Sequence, residues 1–300
     1  MGFALRKRFD WRLRTRTLAL GERTLLMAIV NVTPDSFSGD GLAKQATDDA
    51  AWSAVARLDI GADILDLGAE STRPAAEPLT ADAEQQRLLP VLEAVLRARP
   101  NAIVSVDTYH ASTARAALSA GAEIVNDVSG LLWDPDMAAV AAESHCGLVL
   151  MHTRGRPQDW RIQPRLSSDA VVPLVRKELR ERMDAALAAG IAIENIVLDP
   201  GFGFGKRGAE NLPLLAGFHA FSDLGRPLLA GMSRKGFLRE AVDHLQYEGV
   251  AAATDLLSAT TAANVTAILA GAHVLRVHDL EAAREAAALA DAVLQAKGRT

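Results

Sequence analysis

Ile103-Val104-Ser105-Val106-Asp107-Thr108 is a short apolar run that ends on a carboxylate and a hydroxyl, and Ala111–Ala120 follows it as an Ala-rich helical segment. The same unit repeats outward in both directions. Leu26–Val30, Ile64–Leu67, Glu123–Val125, Leu148–Met151, Ile196–Leu198, Leu228–Ala230 and Val274–Val277 are further apolar runs, which makes eight in all. Between them lie Ala46–Ile60, Ala81–Arg99, Asp134–Ser144, Ser168–Ala189 and Gly249–Ala270, with a last helix over about Glu281–Gln295. Strands that are apolar throughout and alternate with helices form a parallel sheet covered on both faces. Eight such units without a composition break point to an α/β fold, a single closed (β/α)8 TIM barrel. An open doubly wound sheet is the structural alternative.

The 300 residues exceed a common domain length, yet one barrel can use them all, so residues 1–300 are read as one domain. Hydrophobic residues at 49% and charged residues at 23% exclude a disordered or low-complexity chain. Residues 1–25 form an N-terminal extension. Within it Trp11–Leu20 alternates and then meets Gly21-Glu22, which reads as a β-hairpin lying over one end of the barrel rather than as a basic transit peptide. A net charge of −5 argues against a general nucleic-acid surface. No apolar stretch is long enough to span a bilayer. Cys146, the only cysteine, can form no internal disulfide and reads as a buried small hydrophobe. The expected location is cytoplasmic.

Each strand ends in polar groups: Asn31, Asp66, Asp107, Asn126-Asp127, His152, Asp199, Ser233-Arg234-Lys235 and Arg276-Val277-His278-Asp279. In a (β/α)8 barrel the C-terminal strand ends carry the active site. Arg276 and His278 are two apart and share a face, while Leu275 and Val277 face the helices. That pair suits phosphate oxygens, or else a salt bridge with Asp279 or another strand-end carboxylate. Asp107, Asn126, Asp199 and Lys235 converge as partners for a flat heterocycle with several donors and acceptors, although three of them could hold a metal. A Schiff-base lysine is a rival role for Lys235. Pro200–Lys206 fails the spacing of both nucleotide-binding glycine motifs. Its glycines are expected to let a flexible loop fold over a ligand, with Phe202 and Phe204 as apolar walls.

Taken together, Asn31–Ser38, Glu70–Pro74, Ser105–Thr108, Asn126-Asp127, Met151-His152, Asp199–Lys206, Ser233–Lys235 and Arg276–Asp279 resemble the dihydropteroate synthase family, strand by strand from about Leu26 to Leu280. The resemblance implies a folate-pathway transferase that joins 4-aminobenzoate to (7,8-dihydropterin-6-yl)methyl diphosphate, releasing dihydropteroate and diphosphate by an SN1-like, Mg2+-assisted departure. Sulfonamides would compete for the aminobenzoate place. Asp107, Asn126, Asp199 and Lys235 match the family's pterin-binding groups. Asn31, Arg276 and His278 match the diphosphate site, with Asn31 contacting Mg2+. Thr72, Arg73, Pro74, Phe204, Ser233 and Lys235 match the aminobenzoate neighbourhood. By the same resemblance Phe37, Asp40 and Lys235 would carry the catalytic roles, Phe37 as the aromatic lid of the first loop. The family is usually homodimeric.

Two departures fall on the loops. The family's first loop usually reads Ser-Phe-Ser-Asp-Gly-Gly, but here Ser36-Phe37-Ser38-Gly39-Asp40-Gly41 places the acid one residue late. In the second loop Ala69 and Ala75 stand where glycines are usual, which restricts the backbone. Two rivals remain, a folate-binding methyltransferase domain and a non-catalytic paralogue that keeps the barrel. The retained groups Ser233, Arg234, Lys235, Arg276 and His278 argue against both.

Overall fold

Parallel strands buried on both faces need helices outside and side chains inside, and alternation along each strand supplies both. The structure, a computed structural model, describes residues 6–32, 40–70, 78–243 and 255–297, without the side chains of 40–44. A hairpin, β1 (Phe9–Arg12) and β2 (Thr17–Leu20), precedes β3 (Leu25–Asn31). Next come α1 (Asp40–Ile60), β4 (Ile64–Gly68), α2 (Ala81–Ala98), β5 (Val104–Asp107), α3 (Ala111–Ser119), β6 (Ile124–Asp127), α4 (Met137–Ser144) and β7 (Gly147–Met151). The chain continues through α5 (Val171–Ala188), β8 (Ile196–Asp199), α6 (Asn211–Ala216), β9 (Leu229–Ala230), α7 (Gly236–Asp243), α8 (Leu257–Leu269), β10 (Val274–Val277) and α9 (Leu280–Lys297). The parallel sheet runs β8-β7-β6-β5-β4-β3-β10-β9, and a bridge between Leu198 and Leu228 joins its two ends. The fold is therefore a (β/α)8 barrel with an N-terminal hairpin.

Two hydrophobic layers follow from the alternation. Leu26, Ala28, Leu65, Leu67, Val104, Val106, Leu275 and Val277 point outward and pack with Leu88, Val91, Leu92 and Val95 of α2 and the other helices. Met27, Ile64, Ile124, Val149, Val197, Leu229 and Val274 point inward and fill the N-terminal half of the barrel. Trp11, Leu13 and Leu20 of the hairpin close that layer from below, with Trp11 Nε1 donating to the Asn195 carbonyl at 2.7 Å. A β-carbon at Gly147 would stand 2.6 Å from Leu13 Cδ2, so the close seat of the hairpin requires glycine there.

The hairpin turns at Leu13–Arg16, where the Leu13 N–H donates to the Arg16 carbonyl at 2.8 Å, and not at Gly21-Glu22 as the glycine suggests. Gly21 instead links β2 to β3 with φ +111°. The expected helix over Gly249–Ala270 is described from Leu257 onward. With the inward face plugged by apolar residues below, its polar side chains gather at the C-terminal strand ends, where (β/α)8 barrels build their sites.

Candidate active site

Above the apolar plug, the inward positions become polar. Asp66 on β4, Asn126 on β6 and Arg276 on β10 come from alternate strands, which barrel stagger brings to one level. Asp66 is fully buried, and its Oδ2 accepts from Arg276 Nε at 2.5 Å and from Asn126 Nδ2 at 3.0 Å. Arg276 Nη2 also donates to Asp107 Oδ2 at 2.5 Å. Burial opposes the charged guanidinium, but Asp66 and Asp107 outweigh it and raise its pKa. Burial pushes the Asp107 carboxyl up to about 7, assisted by the charges of Asp66, Glu84 and Asp127 and opposed by Arg276. The salt bridge left open for Arg276 is thus made, with Asp66 and Asp107. Asp279 pairs instead with Arg234.

Asp199 ends β8, buried, with Oδ1 accepting from the Gly201 N–H at 2.7 Å. A β-carbon on Gly231 would lie 3.9 Å from Asp199 Oδ2 and 3.7 Å from Arg276 Cβ, so these two side chains converge on the space that this glycine leaves. Lys235 Nζ donates to the Phe202 carbonyl and lies 4.6 Å from the centre of the Phe204 ring. Burial lowers its pKa to about 8, against the pull of Asp199 and Asp107.

The loop that carries those groups is built for one shape. Gly201, Gly203 and Gly205 all have positive φ, and a β-carbon on Gly201 would stand 1.9 Å from the His152 carbonyl oxygen. Only glycine fits there. Lys206, 2% exposed, donates to the carbonyls of Phe204 and His152 at 2.9 and 3.3 Å and to His152 Nδ1 at 2.8 Å. All three ammonium protons are matched, and with Nδ1 accepting, His152 Nε2–H donates to Glu178 Oε2 at 2.8 Å. Burial drives the Lys206 pKa well down and, with the Lys206 charge beside it, takes His152 to about 4. The expectation of two phenylalanine walls is therefore corrected. Phe202 is fully buried and stacks with Phe218 and Phe237 in the outer core, because the positive-φ glycines send the two rings to different sides. Phe204 alone faces Lys235.

At the mouth, Ser233 Oγ accepts from the His278 N–H at 3.2 Å and lies 3.0 Å from His278 Nδ1. The place expected for aminobenzoate thus adjoins the place expected for diphosphate. Burial, Arg234 and Arg276 lower the His278 pKa to about 4, so at neutral pH it offers an uncharged N–H to an anion. Asn31 is exposed at the end of β3. Phe37, Thr72, Arg73 and Pro74 lie outside the described residues, and Asp40 is described only as the first residue of α1. Cys146 is buried, and burial raises its thiol to about 11, as befits an inert core residue.

A second, partly buried network, not anticipated from sequence, braces the last described residue before the second loop. Tyr109 OH donates to Glu70 Oε1 at 2.8 Å, while Glu84 Oε2 accepts from Thr108 Oγ1 at 2.8 Å and lies 3.0 Å from His110 Nδ1. Burial raises the Glu70 pKa and the phenol opposes it. Tyr109→Phe is expected to cost about 1–2 kcal/mol of stability, because a partly buried carboxylate loses its donor. Urea denaturation at pH 7 checks this, and an unchanged midpoint would show the bond to be idle.

Comparison with known proteins gives the family of this barrel. A family described as pterin binding enzyme matches residues 27–278. The dihydropteroate synthase of Bacillus subtilis is 39% identical over 281 residues, covering 94% of this chain and 92% of that protein. The solved dihydropteroate synthase of Xanthomonas albilineans with 4-aminobenzoic acid is 36% identical, with a TM-score of 0.81 over 96% of this chain and 98% of that one. That of Yersinia pestis in a sulfonamide drug complex is 34% identical, with a TM-score of 0.83 over 96% and 100%. The chain belongs to the pterin-binding enzymes and, among them, to the dihydropteroate synthases.

Proposed function

We propose that this chain is a transferase of folate biosynthesis that condenses (7,8-dihydropterin-6-yl)methyl diphosphate with 4-aminobenzoate to give 7,8-dihydropteroate and diphosphate. The observation that carries the reading is the convergence of Asp107, Asn126, Asp199, Lys235 and Arg276 above an apolar plug, in a chain of this family. A pterin presents ring N–H and amino donors beside ring-nitrogen and carbonyl acceptors. Asp199 offers Oδ2 to the amino-pyrimidine edge while Gly201 holds Oδ1. Asn126, braced through its Nδ2, turns its amide oxygen to a donor of the ligand. Lys235 donates to an acceptor edge from its seat against Phe204.

Departure of diphosphate from the pterin methylene leaves a cation that the electron-rich ring stabilises, and the arylamine then attacks and releases a proton. Arg276 offsets charge that grows on the leaving group, and the uncharged His278 N–H stabilises it as a hydrogen-bond donor. For a divalent ion the donor set is spare. The exposed amide oxygen of Asn31 is a hard ligand, and Mg2+ is commonly held by one or two protein oxygens together with substrate phosphates. These residues fit an ion that arrives with the diphosphate. Asn31 would hold Mg2+ there, and the ion would supply further neutralisation of the leaving group. Aminobenzoate would lie against Phe204, Ser233 and Lys235, beside the loop of Thr72, Arg73 and Pro74, where a sulfonamide would compete. Phe37 would cover the pterin from the first loop.

Support for action in the cytoplasm is the single buried thiol and, among the described residues, no helix long and apolar enough to cross a membrane. A homodimer is the assembly the family resemblance supports, and sedimentation equilibrium tests it. Diphosphate release from the pterin diphosphate, measured with and without 4-aminobenzoate, tests the activity. Release that does not depend on the arylamine would overturn the transfer. Asp40→Asn is expected to lower kcat by about tenfold while changing KM for the pterin diphosphate little, since an acid at the start of α1 would stabilise a cation only as it forms. Steady-state kinetics with circular dichroism as a control decides this, and native kcat would assign Asp40 to solvent.

A further inference from the structure

Asp66 belongs to none of the groups placed around the substrates so far, yet it sits at the centre of them. Leu65 and Leu67 point to the helices, so Asp66 shares the inward face with Ile64 below and Gly68 above. In register it stands between Ile29 of β3 and Ser105 of β5. Its Oδ2 receives two donors, while its Oδ1 and the Ser105 hydroxyl are buried without a hydrogen-bond partner among the described residues. A carboxylate with one bare oxygen in a barrel interior is costly, and an apolar residue would pack there at lower cost. Such a group persists where its charge serves a site.

Resting on the dihydropteroate synthase reading, we propose that Asp66 is a positioning residue of the pterin pocket. Its Oδ2 ties Arg276 of β10 to Asn126 of β6 and, as the second carboxylate on one guanidinium, governs how firmly Arg276 holds Asp107. Asn126 lies two strands from Asp66 on one side and Arg276 two strands away on the other, so a single oxygen fixes both walls. The charged groups that face Asp107 are Arg276, Asp66, Glu84, Asp127 and Lys235. Of these, Arg276 is the only cation bonded to Asp107, and it is the one that Asp66 shares. Without the Asp66 charge, Arg276 serves Asp107 alone and favours its ionised form. Asp107 then titrates at lower pH.

The test uses Asp66→Asn, Arg276→Gln and the double variant of the full chain. Thermal midpoints are followed by circular dichroism, and 6-hydroxymethylpterin affinity by calorimetry between pH 5.5 and 8.5. Asp66→Asn is expected to bind the pterin about tenfold more weakly, because the bond from Asn126 becomes a neutral one and the bond from Arg276 loses its anionic acceptor. The pH midpoint of its binding curve should move about one unit towards acid. In the Arg276→Gln background the same substitution should raise the thermal midpoint, since it removes a carboxylate left without its cation. Native affinity with a native pH midpoint in Asp66→Asn would overturn the proposal, as would thermal losses that simply add. If Asp66→Asn does not fold, the charge-neutral double variant decides, and its failure to fold also overturns the pairing. A native chain that does not bind the pterin would instead refute the dihydropteroate synthase reading, while the thermal rescue still tests Asp66 against Arg276.

Discussion

Asp199→Asn is expected to weaken pterin binding by roughly ten- to a hundredfold, equivalent to about 1–3 kcal/mol, with the fold retained. The geometry explains why so small a change is severe. Asp199 Oδ1 accepts from the Gly201 N–H at 2.7 Å, so an asparagine must keep its oxygen there and turn its amino group to the pocket. The pocket side then meets the amino-pyrimidine donors with a donor. The opposite rotamer would aim the amino group at the Gly201 N–H and disturb the loop that seats Lys235 and Phe204. Both orientations leave a buried polar group unpaired. Calorimetry with 6-hydroxymethylpterin checks the prediction, and native affinity in the variant would move the pterin away from β8. Native thermal behaviour should accompany the loss, because the carboxylate is already penalised by burial, which raises its pKa.

The layout of this site was readable in the sequence wherever one strand's alternation decided it. Arg276 and His278 follow from a period of two beside the outward Leu275 and Val277. Asp107, Asn126 and Asp199 were visible because each breaks an apolar run near its end. Asp66 breaks its run in the same way, between Leu65 and Leu67, and inward position was the signal that could have found it. Its partners were not legible, since contact with residues on β6 and β10 depends on barrel stagger. Lys206 had no local signal. A lysine after three glycines reads as a solvated loop charge, and only the carbonyls of Phe204 and His152 and the His152 ring, 54 residues away in sequence, make it a buried ammonium. Phe202 and Phe204 look equivalent in an alternating Gly–Phe pattern, but three positive-φ glycines part them. The hairpin turn was misplaced because it forms at Arg14-Thr15 without a glycine, while the conspicuous Gly21 serves the following link.

Arg276→Ala should destabilise the fold by about 3 kcal/mol near pH 7.5, since removing one partner of a buried ion pair strands the other. Here two carboxylates are stranded, Asp66 and Asp107, and the partial exposure of the guanidinium, 21% for its side chain, keeps the figure at the low end of such losses. The pH dependence has a definite sign. Asp107 keeps its proton in the folded chain up to about 7, well above the ordinary carboxylate value, so its ionisation costs stability as pH rises. Arg276 reduces that cost by lowering the Asp107 pKa, and its removal must therefore hurt most at and above neutrality. Towards pH 4, where carboxyls of folded and unfolded chains both gain protons, the difference between native and variant should shrink to lost packing. Binding follows the same logic. The bare pterin should bind more weakly to Arg276→Ala because Asp66 loses the cation beside the oxygen that braces Asn126, and the diphosphate ester should suffer further because its own clamp is gone. Urea denaturation at pH 5 and pH 7.5, paired with affinities for the two pterins, reads all three effects. A stability loss equal at both pH values would mean that Arg276 acts by packing and not by charge, and an equal loss of affinity for both pterins would take the diphosphate away from β10.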